Sequence, residues 1–323
     1  MNLDKDLQRE MAQSMLKDVI SANAYDRLIK DYKKLFKDKI VLDVGCRSGL
    51  LSLMSVEVGA VKVIAVGNMQ SAGMVKKALA QGDKEDIFEA VNGAIQEIRL
   101  PCGLKYVDII VSEWLGHSIF VDSLFREVIF AREKWLAKGG IIIPNVAQLY
   151  VSGISEHRRL IVQGNVPGKH YKVWEKESLL EDHVTREQLI TDKFLIKSID
   201  LCTASVEDDA FRLPFKLKAL KDGFLGAVVL HADVAFSRAK GRLRRLFSTS
   251  PGEPRTYLRQ TILFVNDFVQ VAEHQSILGV LGMYPNPKEH RGVQYSLSFE
   301  EEEPFEATLG SGRGRTSKWT LSK

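Results

Sequence analysis

VLDVGCRSGL, Val41 to Leu50, decides the fold. An apolar run ending near Asp43, a turn carrying Gly45 and Gly49, and an apolar helix-compatible segment after it form the generic nucleotide-binding arrangement. In that arrangement glycines let the backbone approach a ligand, and a helix N-terminus faces it. Arg47 stands where such a turn is expected to carry its most constrained glycine. A cofactor lying against the turn would meet that long charged side chain. The next apolar run, VKVIAV at 61–66, ends in Gly67 and Asn68, where a carboxylate for ribose hydroxyls is expected about 20 residues further on.

Outward from this loop, short apolar runs alternate with helical segments. Met11, Met15, Val19 and Ile20, then Tyr25, Leu28, Ile29 and Tyr32, recur at helical spacing and predict helices over 1–36. KIVLDVG, VKVIAV, YVDIIVSE at 106–113 and GGIIIP at 139–144 read as strands. Their alternation with helices predicts a parallel sheet covered on both faces, over 37–144. After Pro144 the texture changes. AQLYVSGI, FLIKSIDL, GAVVLHADVAF, TYLRQTILFV and VQYSLSF carry alternating, β-branched or aromatic residues between turn signals, which predicts an antiparallel barrel or sandwich over 145–323. A polar, helix-compatible insertion occupies about 158–191.

Composition narrows the classes. The 323 residues are enough for two packed domains, and 45 basic against 41 acidic side chains is too balanced to imply nucleic acid. No apolar run reaches membrane-spanning length, and MNLDKDLQRE has the regions of no secretory signal, so a cytoplasmic location is expected. Cys46, Cys102 and Cys202 have no C-x-x-C spacing, so reduced thiols and no metal site are expected.

Four separated blocks then become recognisable: LFKDKIVLDVGCRSGLLSL, YVDIIVSEWLGHSIFVDSL, FSTSPGEPRTYLRQTILF and ILGVLGMYPNPKEHRGV. Together they resemble the type I protein arginine methyltransferases. The resemblance implies a Rossmann-like S-adenosylmethionine domain, a β-barrel, and an inserted helical arm that makes dimers. It places the two acceptor carboxylates at Glu113 and Asp122, the second a methylene shorter than the family's glutamate. Transfer to a guanidinium needs such carboxylates to orient the planar fork, and an error of about 1 Å can cost about 10²-fold. The family's Thr-His-Trp reads Thr256-Tyr257-Leu258, without the imidazole. By the same resemblance, the methionine-carboxylate arginine falls on Ser21, the ribose glutamate on Gly67 and the adenine glutamate on Gln96, so that Asp43, Gly45 and Gly49 remain around an altered site.

These departures lead to the expectation of a non-catalytic, prozyme-like pseudoenzyme that binds no cofactor itself. It would stabilise and activate an S-adenosylmethionine-binding paralogue in a hetero-dimer or hetero-tetramer, similar to the inactive subunit of the trypanosome enzyme, with arginine/glycine-rich substrate proteins as further partners. Tyr171, Val173, Trp174, Leu179 and Leu180 are the expected docking anchors, aromatic and leucine side chains suiting such a surface. The alternative is a divergent but working arginine methyltransferase using Glu113 and Asp122. The basic stretch SRAKGRLRRLF at 237–247 reads as a charged barrel edge before it reads as an RNA surface, and GSGRGRTSKW, with Arg313 and Arg315, as a turn before it reads as a methylation substrate.

Overall fold

In the computed structural model the described residues are 13–67, 70–155, 179–238, 241–289, 291–299 and 315–320. The N-terminal half runs α1 (Val19–Asp31), α2 (Lys33–Phe36), β1 (Ile40–Val44), α3 (Leu50–Glu57), β2 (Lys62–Gly67), α4 (Gln70–Ala80), β3 (Phe88–Asn92), β4 (Val107–Val111), α5 (Phe125–Trp135) and β5 (Leu136–Ile143). The strands form one parallel sheet in the order β3-β2-β1-β4-β5. Strands covered on both faces must be apolar nearly throughout. VLDV and VIAV accordingly bury every residue, Asp43 included.

The order reverses direction between β1 and β4, and ligands of open α/β sheets sit at the carboxyl ends of such neighbours. Here β1 delivers the Gly45–Gly49 turn and β4 delivers residues 112–122 to one crevice. α1 covers the crevice from the side. Asp18 starts it by accepting N–H bonds from Ile20 and Ser21, each at 3.0 Å, satisfying donors that a helix start leaves open. Its buried face is Ser21, Tyr25, Leu28 and Ile29.

The second half is antiparallel: β6 (Val146–Ile154), β7 (Leu179–Asp182), β8 (Leu189–Asp200), β9 (Phe211–Lys218), β10 (Gly223–Phe236), β11 (Arg244–Ser248), β12 (Gln260–Val271), β13 (Ser276–Pro285), β14 (Val293–Phe299) and β15 (Arg315–Thr320). One sheet runs β7-β12-β10-β6-β8 with β11 on β10, the other β15-β14-β13-β9. Thr191 of β8 bridges Ala219 just beyond β9, so the sheets adjoin in a barrel-like body. The two halves are stitched by named bonds. Arg126 of α5 forks onto Asp209, with Nε at 2.6 Å and Nη2 at 3.2 Å. Arg132 donates to the carbonyls of Leu201 and Ala204, each at 2.7 Å.

The expected fold class, a Rossmann-like sheet followed by a barrel, is what the chain forms. Local corrections have physical reasons. The helix-compatible reading of 158–191 fails at its C-terminal end, because 179–182 pair with β12 and strand β8 starts at Leu189. Tyr171, Val173 and Trp174 lie outside the described residues, while Leu179 and Leu180 lie on β7 opposite Leu263 and Ile262. TYLRQTILFV becomes strand only from Gln260, because Thr256 closes a short loop with Leu258, the Leu258 N–H donating to its Oγ1 at 3.2 Å. The turn reading of GSGRGRTSKW is overturned at its end: 315–320 is strand β15 on β14, and Arg313 lies outside the described residues. In the basic stretch, Arg244 pairs with Asp31 at 2.7 Å and Arg245 with Glu253 at 3.3 Å, which fits a charged edge.

Candidate active site

The hairpin after β4 brings the acceptor-side residues into the crevice. Trp114 and Leu115 are fully buried behind it, and the Trp114 indole N–H donates to the Pro144 carbonyl at 3.0 Å, fixing the hairpin to the junction of the two halves. Gly116 permits the fold-back. A Cβ there would lie 1.6 Å from the Val121 carbonyl oxygen, so any side chain would force the two arms apart. The hairpin's far end is held through its backbone: the Asp122 N–H donates to the Arg291 carbonyl at 3.0 Å, and the Arg291 guanidinium pairs with Glu127 of α5.

Glu113 is the buried carboxylate of the site. Ser48 Oγ donates to its Oε2 at 2.7 Å. Burial pushes its pKa up to about 7, against the lowering effects of Ser48 and the Arg47 charge, with Asp43 adding to the rise. Asp43, at the end of β1, is likewise buried and pushed up to about 6 by desolvation, although Ser52 Oγ donates to it at 2.6 Å. Two carboxyl groups therefore change charge near neutrality, which is characteristic of functional clefts.

Around Glu113 lie two buried phenols. Tyr25 of α1 and Tyr257 have raised pKa values, from burial first and then from the negative charge of Glu113 and Asp18 among others. Neither hydroxyl has a hydrogen-bond partner among the described residues. The Tyr257 backbone N–H donates to Asp18 Oδ2 at 2.8 Å, so one carboxylate both caps α1 and anchors the 256–258 loop. Arg47, half-buried, reaches across the crevice: its Nη2 donates to the Asp122 carbonyl at 2.6 Å. Its pKa is lowered by burial, with Tyr257, Arg291, Glu113 and Asp122 as the charged or titratable groups in range.

Sequence reasoning singled out Glu113, Asp122, Tyr257 and Arg47, and the structure brings all four to one cluster. It missed Asp18, Tyr25, Ser48, Ser52 and Arg291. Asp18 alone carried a legible signal, a capping residue just before an apolar helical periodicity. Ser21 is buried as a member of the first turn of α1, its N–H on Asp18.

An S-adenosyl donor makes demands that these residues meet only in part. The glycine turn persists, with Gly49 as the N-cap of α3. However, the N–H groups of Gly45 and Cys46 already donate to the Val66 carbonyl at 2.7 and 3.0 Å, and Asp43 is engaged by Ser52. Gly67 cannot take a ribose carboxylate as the backbone stands: its φ is 144°, and a Cβ would come within 3.2 Å of the Gly45 and Cys46 backbone. Gln96 offers an amide and no carboxylate. Among the described residues no group of His, Cys, Asp and Glu could hold a metal ion, and no helix is long and apolar enough to cross a membrane.

A Rossmann-like sheet with a buried carboxylate hairpin, joined to a barrel, defines a methyltransferase-type architecture, and comparison with known proteins makes the family specific. Residues 145–304 match the arginine methyltransferase oligomerization subdomain. Protein arginine N-methyltransferase 1.1 of Arabidopsis thaliana is 35% identical over 294 residues, covering 89% of this chain and 74% of the relative. Protein arginine N-methyltransferase 1 of Caenorhabditis elegans is 32% identical over 296 residues, covering 89% and 84%. Among solved structures, the Trypanosoma brucei PRMT1 enzyme-prozyme heterotetrameric complex with AdoHcy is similar, with a TM-score of 0.84 at 27% identity over 96% of this chain and 97% of that one. The chain belongs to the protein arginine N-methyltransferase family. The expectation of a non-catalytic pseudoenzyme is thereby overturned: relatives 35% and 32% identical over most of its length are named as methyltransferases.

Proposed function

We propose that the chain is a divergent protein arginine N-methyltransferase that works as a subunit of an oligomer with a paralogous methyltransferase. Glu113 is the carboxylate that engages the acceptor guanidinium, and Asp122 is its shorter partner. The observation that carries this reading is the buried Glu113 carboxyl, poised near neutrality and already within range of a guanidinium, between two phenols that lack partners among the described residues. A guanidinium keeps its charge in water and in proteins. Its arrival favours the ionised form of Glu113, as a nearby cation favours any carboxylate. The carboxylate then fixes the planar fork, and positioning of this kind supplies much of a transfer barrier's reduction.

S-adenosylmethionine supplies the methyl group when bound. With no carboxylate at Gly67 or Gln96, the isolated chain holds that donor weakly. The oligomerization subdomain and the heterotetrameric likeness support a paralogue as the partner; arginine/glycine-rich proteins are the substrate class of this reading.

The test is co-expression with the paralogue, the partner's own acceptor carboxylate having been neutralised, followed by methyl transfer to an arginine/glycine-rich peptide. Transfer by this complex is expected to fall at least about 10²-fold on Glu113→Gln, the scale of losing a positioning group. Equal rates for Glu113→Gln and the unaltered chain would reject the assignment.

A further inference from the structure

The acceptor site holds a guanidinium of the chain's own. Arg47 and Ser48 are consecutive, and each donates to a different end of the hairpin: Ser48 Oγ to the Glu113 carboxylate at 2.7 Å, Arg47 Nη2 to the Asp122 carbonyl at 2.6 Å. The first is an oxygen of the acceptor carboxylate itself, and the second is the backbone of the residue that carries its shorter partner. Both donors come from the turn between β1 and α3, on the donor side of the crevice. One short segment therefore ties the donor side to the acceptor side.

We propose that Arg47 is a built-in stand-in for the acceptor arginine: with Ser48 it latches the donor-side turn onto the acceptor hairpin and excludes a substrate arginine until the turn withdraws. This rests on the reading of Glu113 as the acceptor carboxylate.

The contacts suit a latch better than a permanent strut. The Arg47 Nη2 bond meets a neutral carbonyl of the hairpin, a weaker acceptor than a carboxylate would be. Burial of the guanidinium opposes its charge. The Tyr25 and Tyr257 hydroxyls in the same cluster lack partners among the described residues, so the cluster around the latch is itself incompletely bonded. Gly45 and Gly49, both at positive φ, flank Arg47 and can absorb a change in the turn. A pocket open about a tenth of the time binds its ligand about tenfold more weakly than one always open. Oligomer assembly that moves the turn would raise that fraction.

The experiment uses the full chain in its complex with the paralogue, the partner's acceptor carboxylate neutralised, and a labelled arginine/glycine-rich peptide whose binding is followed by fluorescence anisotropy without any methyl donor. A matching peptide with lysine at each arginine controls for charge alone. Arg47→Ala is expected to tighten the arginine peptide about tenfold and the lysine peptide hardly at all, and a second change, Glu113→Gln, should erase the gain. Arg47→Lys and Ser48→Ala, each less disruptive, should tighten binding by smaller factors, and they carry the test if Arg47→Ala melts. Unchanged or weaker arginine-peptide binding in well-folded Arg47→Lys and Ser48→Ala chains overturns the latch. Tighter binding without methyl transfer leaves the latch standing and removes the enzymatic reading. Methyl transfer with unchanged binding does the reverse.

Discussion

Glu113 and Asp43 give the site a pH dependence whose sign follows from their elevated folded pKa values, about 7 and about 6. A carboxyl whose folded pKa lies above its unfolded value contributes stability that is fully present below the unfolded pKa and is lost as pH rises through the folded one. The window therefore runs from about pH 4 to about pH 7, and the two groups together change stability by roughly 3 to 6 kcal/mol across it. Urea midpoints should accordingly fall between pH 4.5 and pH 7.5, and Glu113→Gln should flatten the fall. A midpoint that rises over that interval in the unaltered chain, and stays unaffected by the substitution, would contradict the burial argument. On the proposed reading methyl transfer is expected to run the other way, rising toward pH 8 as Glu113 ionises. At this scale the sequence was informative where chemistry needs a particular side chain: Glu113, Asp122, Arg47 and Tyr257 are legible because their blocks are. Ser48 and Tyr25 were not, because a hydroxyl beside a carboxylate has no signature until the fold brings 48 and 113 together.

Among the elements, α1 does more than cover the sheet. Asp18 accepts three N–H bonds, from Ile20, Ser21 and Tyr257. Asp18→Ala removes the cap and leaves the buried Tyr257 N–H without its acceptor. A lost cap costs about 1 kcal/mol and an unsatisfied buried donor about 1 to 3. Denaturation should show a loss of about 2 to 4 kcal/mol, and Asp18→Asn, which keeps one accepting oxygen, should recover part of it. No loss in Asp18→Ala would mean that the 256–258 loop is anchored elsewhere. Helix and strand periods predicted α1 and the inner strands of the first sheet well, since those bury nearly every residue. They missed β9, whose FRLPFKLK buries only Phe211, Phe215 and Leu217, and β3, whose FEAVN fully buries Phe88 alone. Pairing partners distant in sequence, not local apolarity, decide such strands.

For the whole molecule, the composition change near Pro144 was a reliable sign that a second architecture begins, and the sheet orders bear out the class read from it. Losses read position by position from one sequence argued for a dead site, whereas the fold keeps the buried carboxylate hairpin and the relatives are named as methyltransferases. A departure in one contact does not show how the rest of the cluster rearranges around it. Assembly belongs to this scale. Mixed with its paralogue, the chain is expected to elute with it as a single species larger than either alone by light scattering. Elution of the two as separate species at micromolar concentration would remove the hetero-oligomer from the account.

The most direct measurement is methyl transfer by a complex in which only this chain retains its acceptor carboxylate. The account predicts transfer to an arginine/glycine-rich peptide that disappears when Glu113 becomes glutamine. The contradicting result is a complex that transfers nothing with Glu113 intact while the same paralogue, unaltered, is fully active.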